Sequence, residues 1–134
     1  MEELLTYNLN DPRTGKRQEY FDLGRTHENK LDFISAIDAY KLYLTFLNES
    51  DQHIPQQWIS ILYEKLGNKA DSLIHLALFA DGCSKPFGAE IFREIGEEYE
   101  KIDFFNDALH SYNKSIALNP KIGLKMKILS LQKK

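Results

Sequence analysis

AEIFREIGEEYEKIDFFNDALHSYNKSIALNPKI, residues 89–122, is the stretch that decides the fold. Phe105, Ala108, Leu109, Tyr112 and Ile116 recur at the i, i+3, i+4, i+7 and i+11 spacing of one apolar helical face. Upstream, Phe92, Ile95, Gly96 and Tyr99 give a second face, so two helices are predicted to fold back on each other. Asp103 stands just before the second helix, where its carboxylate is expected to cap free amides. Asn119-Pro120 ends that helix. Glycine inside a helix costs about 1 kcal/mol relative to alanine. Gly96 therefore needs a packing reason, and a close crossing opposite Ala108 supplies one.

The pattern recurs near the start of the chain. Tyr20, Leu23 and Gly24 mark a first helix, and Phe33, Ala36, Ile37, Tyr40, Leu44 and Leu47 a second, with Asp32 as its expected cap. A weaker unit lies between, with Trp58, Ile61 and Leu62 on a first helix. Gly67-Asn68 forms its turn, and Ala70, Ile74 and Ala77 lie on its second helix. Pro55 opens this middle unit. Ala36, Ala70 and Ala108 are separated by 34 and 38 residues. That spacing predicts a four-residue insertion, most simply within 81–88, and a first middle helix shortened by four.

This order of aromatic, small and proline positions resembles the tetratricopeptide repeat family, whose period is about 34 residues. With Ala89 as the first position, Phe92, Ile95, Gly96, Tyr99, Ala108, Tyr112, Ser115 and Pro120 stand where the family has Trp, Leu, Gly, Tyr, Ala, Phe, Ala and Pro. In the earlier copy His27 replaces the Tyr and Asn48 the Pro. The resemblance implies an all-α solenoid of three antiparallel helix hairpins with a C-terminal capping helix. Its parts are an N-terminal arm (1–16), repeat 1 (17–50), a degenerate repeat 2 (51–84), repeat 3 (85–122) and the cap (123–134). Such units cannot bury their apolar faces alone and must stack on neighbours.

Length and composition fit this reading. The chain of 134 residues is long enough for one core. It has one cysteine, hence no internal disulfide, which makes a reducing cytoplasm the default location. Met1-Glu2-Glu3 lacks the basic start of a secretory signal. The longest apolar run, 73–80, is interrupted by His75 and reads as a buried helix, not a membrane span. Asp11-Pro12-Arg13-Thr14-Gly15 has turn chemistry, and Glu2 to Asn8 reads as a short helical turn or an arm. The formal net charge is −3, but the last 14 residues hold five lysines (121, 125, 127, 133 and 134) and no acid. Leu124, Ile128 and Leu131 share a helical face there, which favours a cap over a nucleic-acid arm. Aromatic or Arg interleaving is absent from the tail.

Catalytic motifs are missing: the sequence contains no phosphate-binding Walker loop, no GxSxG elbow and no CxxC pair. The histidines at 27, 53, 75 and 110 lack helical metal-ligand spacing. His75 reads as a core residue and His53 as a loop residue. Cys83 has no adjacent histidine and reads as an unreactive thiol. The acidic run from Glu90 to Glu100 reads as a solvated helix face, with Glu97 expected to pair with Lys101. No enzyme, cofactor or metal is implied.

The family resemblance implies a binding groove lined by the first helix of each repeat. Carried over position by position, the groove receives Gln18, Phe21, Asp22 and Arg25 from repeat 1. Repeat 2 gives Gln56, Ile59, Ser60 and Tyr63, and repeat 3 gives Glu90, Arg93, Glu94 and Glu97. Family members that clamp a C-terminal carboxylate use Lys and Asn here. Phe21, Arg25 and Glu94 depart from that set. The implied groove is apolar and aromatic with an acidic end, suited to a protein segment with hydrophobic anchors and basic residues. The expected role is a protein-binding adaptor or small chaperone-like protein. An inhibitor of immunity or antitoxin type, a nucleic-acid-associated regulator using the tail, and a homo-oligomer are the other readings.

Overall fold

The structure, a computed structural model, describes residues 12–133. The Glu2 to Asn8 segment lies outside the described residues. Among the described residues seven α-helices follow one another: α1 (Pro12–Asn29), α2 (Phe33–Leu44), α3 (His53–Lys65), α4 (Lys69–Asp81), α5 (Lys85–Lys101), α6 (Phe105–Leu118) and α7 (Lys125–Gln132). A single 3₁₀ turn, Glu49–Asp51, precedes α3. No strand occurs among the described residues. Each helix packs on its sequence neighbours, giving hairpins α1–α2, α3–α4 and α5–α6 with α7 laid on α6. Of the stretch Asp11 to Gly15 read as a turn, Asp11 lies outside the described residues and residues 12–15 are helical. Pro12 begins α1, where its fixed φ suits a helix start and its missing N–H is no loss.

The three hairpin turns are built alike. Leu31, Gly67 and Asp103 have φ of 61°, 79° and 62° and are spaced 36 residues apart. The amide of the following residue reaches back to the helix: Asp32 N to His27 O, Asn68 N to Tyr63 O and Phe104 N to Tyr99 O, each at 2.9 Å. This is the Schellman ending of a helix, which calls for one left-handed residue. Asp32 caps α2 as expected, its side chain accepting from Ser35 N at 3.2 Å. Asp103 does not cap α6. It is the left-handed residue of the turn, and Phe104 takes the cap position without a side-chain bond.

The 36-residue step corrects the sequence register of the middle repeat. Gly24, Ser60 and Gly96 are equivalent, as are Ala36, Ser72 and Ala108, and all six are buried. Ala70 is therefore not the counterpart of Ala36 and Ala108. No insertion within 81–88 and no shortened first helix is needed.

Within the outer hairpins a glycine faces a tyrosine ring. A Cβ on Gly24 would overlap the Tyr40 ring, and one on Gly96 the Tyr112 ring. Both tyrosines are fully buried. The Tyr40 hydroxyl donates to Glu28 Oε2 at 2.7 Å, and the Tyr112 hydroxyl donates to Glu100. Burial raises both phenol pKa values, and the carboxylate partner raises them further. In the middle hairpin Leu76 stands in the tyrosine position. The crossing is closed instead by Ser60 Oγ, 2.7 Å from Ser72 O and 3.0 Å from Ser72 Oγ. Ser115, where the family has Ala, donates to Ala89 O at 2.6 Å. No buried side-chain polar atom lacks a partner among the described residues.

Leu124, Ile128 and Leu131 join the core that contains Phe92, Ile95 and Tyr112. Lys127 Nζ lies 3.3 Å from Glu100, so the carboxylate that receives Tyr112 also holds the terminal helix.

Two stability measurements check this packing. Gly96→Ala should destabilise the protein by about 1–3 kcal/mol despite its better helix propensity, because the methyl displaces Tyr112; an unchanged urea midpoint would contradict the close crossing. A chain truncated after Ile122 should melt lower than the parent, and Leu131→Ala should cost about 2 kcal/mol. If α7 contributes nothing to the core, both will melt with the parent.

Candidate partner-binding groove

The side chains carried over to the groove fall into three groups. Phe21 and Arg25 of α1 meet Trp58 of α3 in the first seam between repeats. The Arg25 guanidinium carbon lies 4.9 Å from the centre of the Trp58 ring, 5.1 Å from Phe21 and 5.9 Å from Tyr40. Phe21 packs edge-on to Trp58 at 5.8 Å, and Tyr43 stacks on the indole at 6.1 Å. Arg25 Nη1 also bonds Glu28 Oε2 at 3.0 Å. Asp22 is exposed and accepts from Gln18 Nε2 at 2.9 Å.

The middle-repeat residues chosen from sequence lie elsewhere. Ile59 is fully buried and Ser60 is closed in the hairpin crossing, so neither offers a surface to a partner. Gln56 Oε1 bonds His75 Nδ1 at 2.6 Å, and Tyr63 stacks on the same imidazole at 5.3 Å. The Tyr63 hydroxyl accepts from Lys41 Nζ of α2 at 2.8 Å. These residues face α2 and α4. In the 36-residue register the counterparts of Gln18, Phe21, Asp22 and Arg25 are Ile54, Gln57, Trp58 and Ile61. A two-residue shift turns a side chain by about 200° around the helix, to the opposite face. Ile54 and Ile61 are 44% and 48% exposed, an apolar surface that the sequence reading missed. Repeats 1 and 3 lie 72 residues apart, twice this step, and that spacing was the available signal.

The acidic end is partly neutralised. Arg93 pairs with Glu90 at 2.8 Å and with Glu97 at 3.0 Å, which holds the guanidinium pKa above its ordinary value. Lys69 bridges Glu64 and Glu98, each at 3.0 Å. Lys101 pairs with Glu98 at 2.6 Å, and not with Glu97 as expected. The lysine partners hold the Glu98 carboxyl below its ordinary range. Glu94 is exposed and has no ion-pair partner among the described residues. It shares a cleft of about 310 Å³ with Glu64, Glu97, Ser72 and Leu76, between repeats 2 and 3.

The remaining candidates are structural. His53 is the first residue of α3, not a loop residue, and stacks on Phe79 at 6.0 Å. Cys83 Sγ donates to Phe79 O at 3.3 Å, and burial raises its pKa, which suppresses the thiolate. No cluster of three or more metal-ligating side chains occurs among the described residues. No helix among them is long and apolar enough to cross a membrane.

No protein-family model matches this sequence, and no curated protein matches it. Among solved structures, the crystal structure of the MamA protein is similar, with a TM-score of 0.54 and 24% sequence identity. The alignment covers 88% of this chain and 63% of that one, so this chain spans less than two thirds of MamA. The fold is a helical repeat of the tetratricopeptide kind.

His75 gives a pH signature to the middle hairpin. Burial lowers its pKa, Lys41 lowers it further, and Asp71 opposes the shift. The unfolded chain then binds this proton at higher pH than the folded one. Stability is lost as pH falls through the ordinary histidine value of 6.5 and levels off below the folded value. His75→Phe, which keeps the stack on Tyr63, should flatten the decline in melting temperature between pH 7.5 and 5.5. If the slope is unchanged, another group controls this window.

Proposed function

We propose that this protein is a non-enzymatic tetratricopeptide-type adaptor whose groove holds a protein segment with apolar anchors and basic residues. The observation that carries the reading is the pairing of two unlike seams along one face. Phe21 and Trp58 line the first, while Ile54 and Ile61 are exposed on the shared helix α3. The second presents the unpaired carboxylate of Glu94 beside Glu64 and Glu97. Apolar surface supplies affinity, and an unpaired charge at its rim supplies orientation and association rate. Asp22, Arg25, Glu90 and Arg93 flank these seams. The basic patch on α7 is secured to Glu100 through Lys127, which supports a capping role over a nucleic-acid arm.

An amphipathic peptide of leucine and lysine, with a leucine and glutamate peptide as control, tests this by titration calorimetry. The basic peptide should bind and the acidic one should not. Glu94→Lys should weaken the basic peptide roughly fivefold or more, with the defect shrinking at high salt. Glu97→Lys should have a smaller effect, because Glu97 is already paired with Arg93. Equal binding of both peptides, or a Glu94→Lys variant that binds like the parent, would remove the acidic end from the function.

A further inference from the structure

The first seam already holds a ligand-like group, the protein's own Arg25. Its guanidinium lies over three rings, at 4.9 Å from Trp58, 5.1 Å from Phe21 and 5.9 Å from Tyr40, with Glu28 at its edge. We propose that this cluster is an arginine socket: Arg25 plugs it at rest, and an arginine side chain of the bound segment replaces Arg25 on binding. The proposal rests on the groove reading and names the residue that the first seam selects.

Three observations support exchange over a fixed structural role. The Arg25 side chain is 46% exposed, so one side of it is open to solvent. Among the described residues its ion pair is with Glu28, an i, i+3 contact at a partly exposed site, and contacts of this kind are individually weak. The rings have supports besides Arg25. Tyr40 is fixed by its own bond to Glu28 and by burial, and Trp58 is held by Tyr40 at 5.3 Å and by Tyr43. An incoming guanidinium would find the same rings and the same carboxylate. Arginine suits the site better than lysine, because its planar, weakly hydrated head stacks on an indole and can still donate in plane to Glu28. In the second seam Ile61, Gln57 and Leu76 stand where the first has Arg25, Phe21 and Tyr40, and Glu94 stands where it has Trp58. The second seam therefore has no comparable plug or rings.

Trp58 is the only tryptophan in the chain, so its fluorescence reports on the socket directly. The probes are a short peptide with one arginine flanked by leucines and two relatives carrying citrulline or lysine at that site. Each is titrated into the parent, Arg25→Gln and Arg25→Lys, with melting curves to confirm folding. A plug that occupies the site most of the time lowers apparent affinity by its occupancy. Arg25→Gln should therefore bind the arginine peptide about tenfold tighter than the parent, with a change in Trp58 emission. Arg25→Lys should lie between them, and it carries the test if Arg25→Gln fails to fold. Citrulline, which keeps the shape but loses the charge, should abolish the gain. Equal binding of arginine and citrulline peptides, no tightening in either variant, or lysine binding as well as arginine would each overturn the proposal. If Glu94→Lys still weakens the basic peptide while Arg25 substitution changes nothing, the socket fails and the groove survives. If neither substitution matters, both fail.

Discussion

The structure depends on how closely the two helices of each hairpin can cross. In the outer repeats this distance is set by a glycine against the face of a buried tyrosine, Gly24 on Tyr40 and Gly96 on Tyr112. The ring covers the glycine, and its hydroxyl reaches back across the crossing to Glu28 or Glu100. A single side chain thus fills the interface and ties it to the partner helix. A fully buried phenol needs such a partner, since an unsatisfied hydroxyl would cost more than the bond returns. Burial and the carboxylate both keep the phenol protonated and donating.

The middle hairpin meets the same constraint with different chemistry. Ser60 and Ser72 are small enough for the close approach, and their hydroxyls bond each other and the backbone. Leu76 then replaces the tyrosine and cannot bond Glu64. That carboxylate turns to Lys69, which bridges on to Glu98 of the next repeat. The loss of one hydroxyl inside repeat 2 therefore becomes an ionic link between repeats 2 and 3. Glu100, by contrast, receives both Tyr112 and Lys127, so the last hairpin and the terminal helix share one acceptor.

The two seams differ because Gln57, Ile61, Leu76 and Glu94 stand in the second where Phe21, Arg25, Tyr40 and Trp58 stand in the first. Trp58 on α3 closes the first seam with stacked rings, while its counterpart Glu94 on α5 leaves the second seam polar and open. The 36-residue register gives both side chains the same position in their helices. The solenoid is a repeating support, and its surface chemistry is free to change from one step to the next.

The all-α class and the paired helices of the first and last repeats were legible in the sequence. Helical periodicity and a glycine at a crossing are local signals, and the partner of each glycine lies within the same hairpin. The register of the middle repeat was not legible. Ser60, Ser72 and Leu76 have neither the glycine nor the tyrosine that marks it, and the nearby Ala70 imitates the marker two residues away. That small slip turned the chosen side chains to the opposite face, so Gln56, Ser60 and Tyr63 stood in place of Ile54, Trp58 and Ile61. Only the tertiary structure decided which carboxylates are free, because Arg93, Lys69 and Lys101 select among neighbours that sequence spacing treats as equal. Pairing depends on distances across and between helices, and one chain position carries no record of them until the hairpins are stacked.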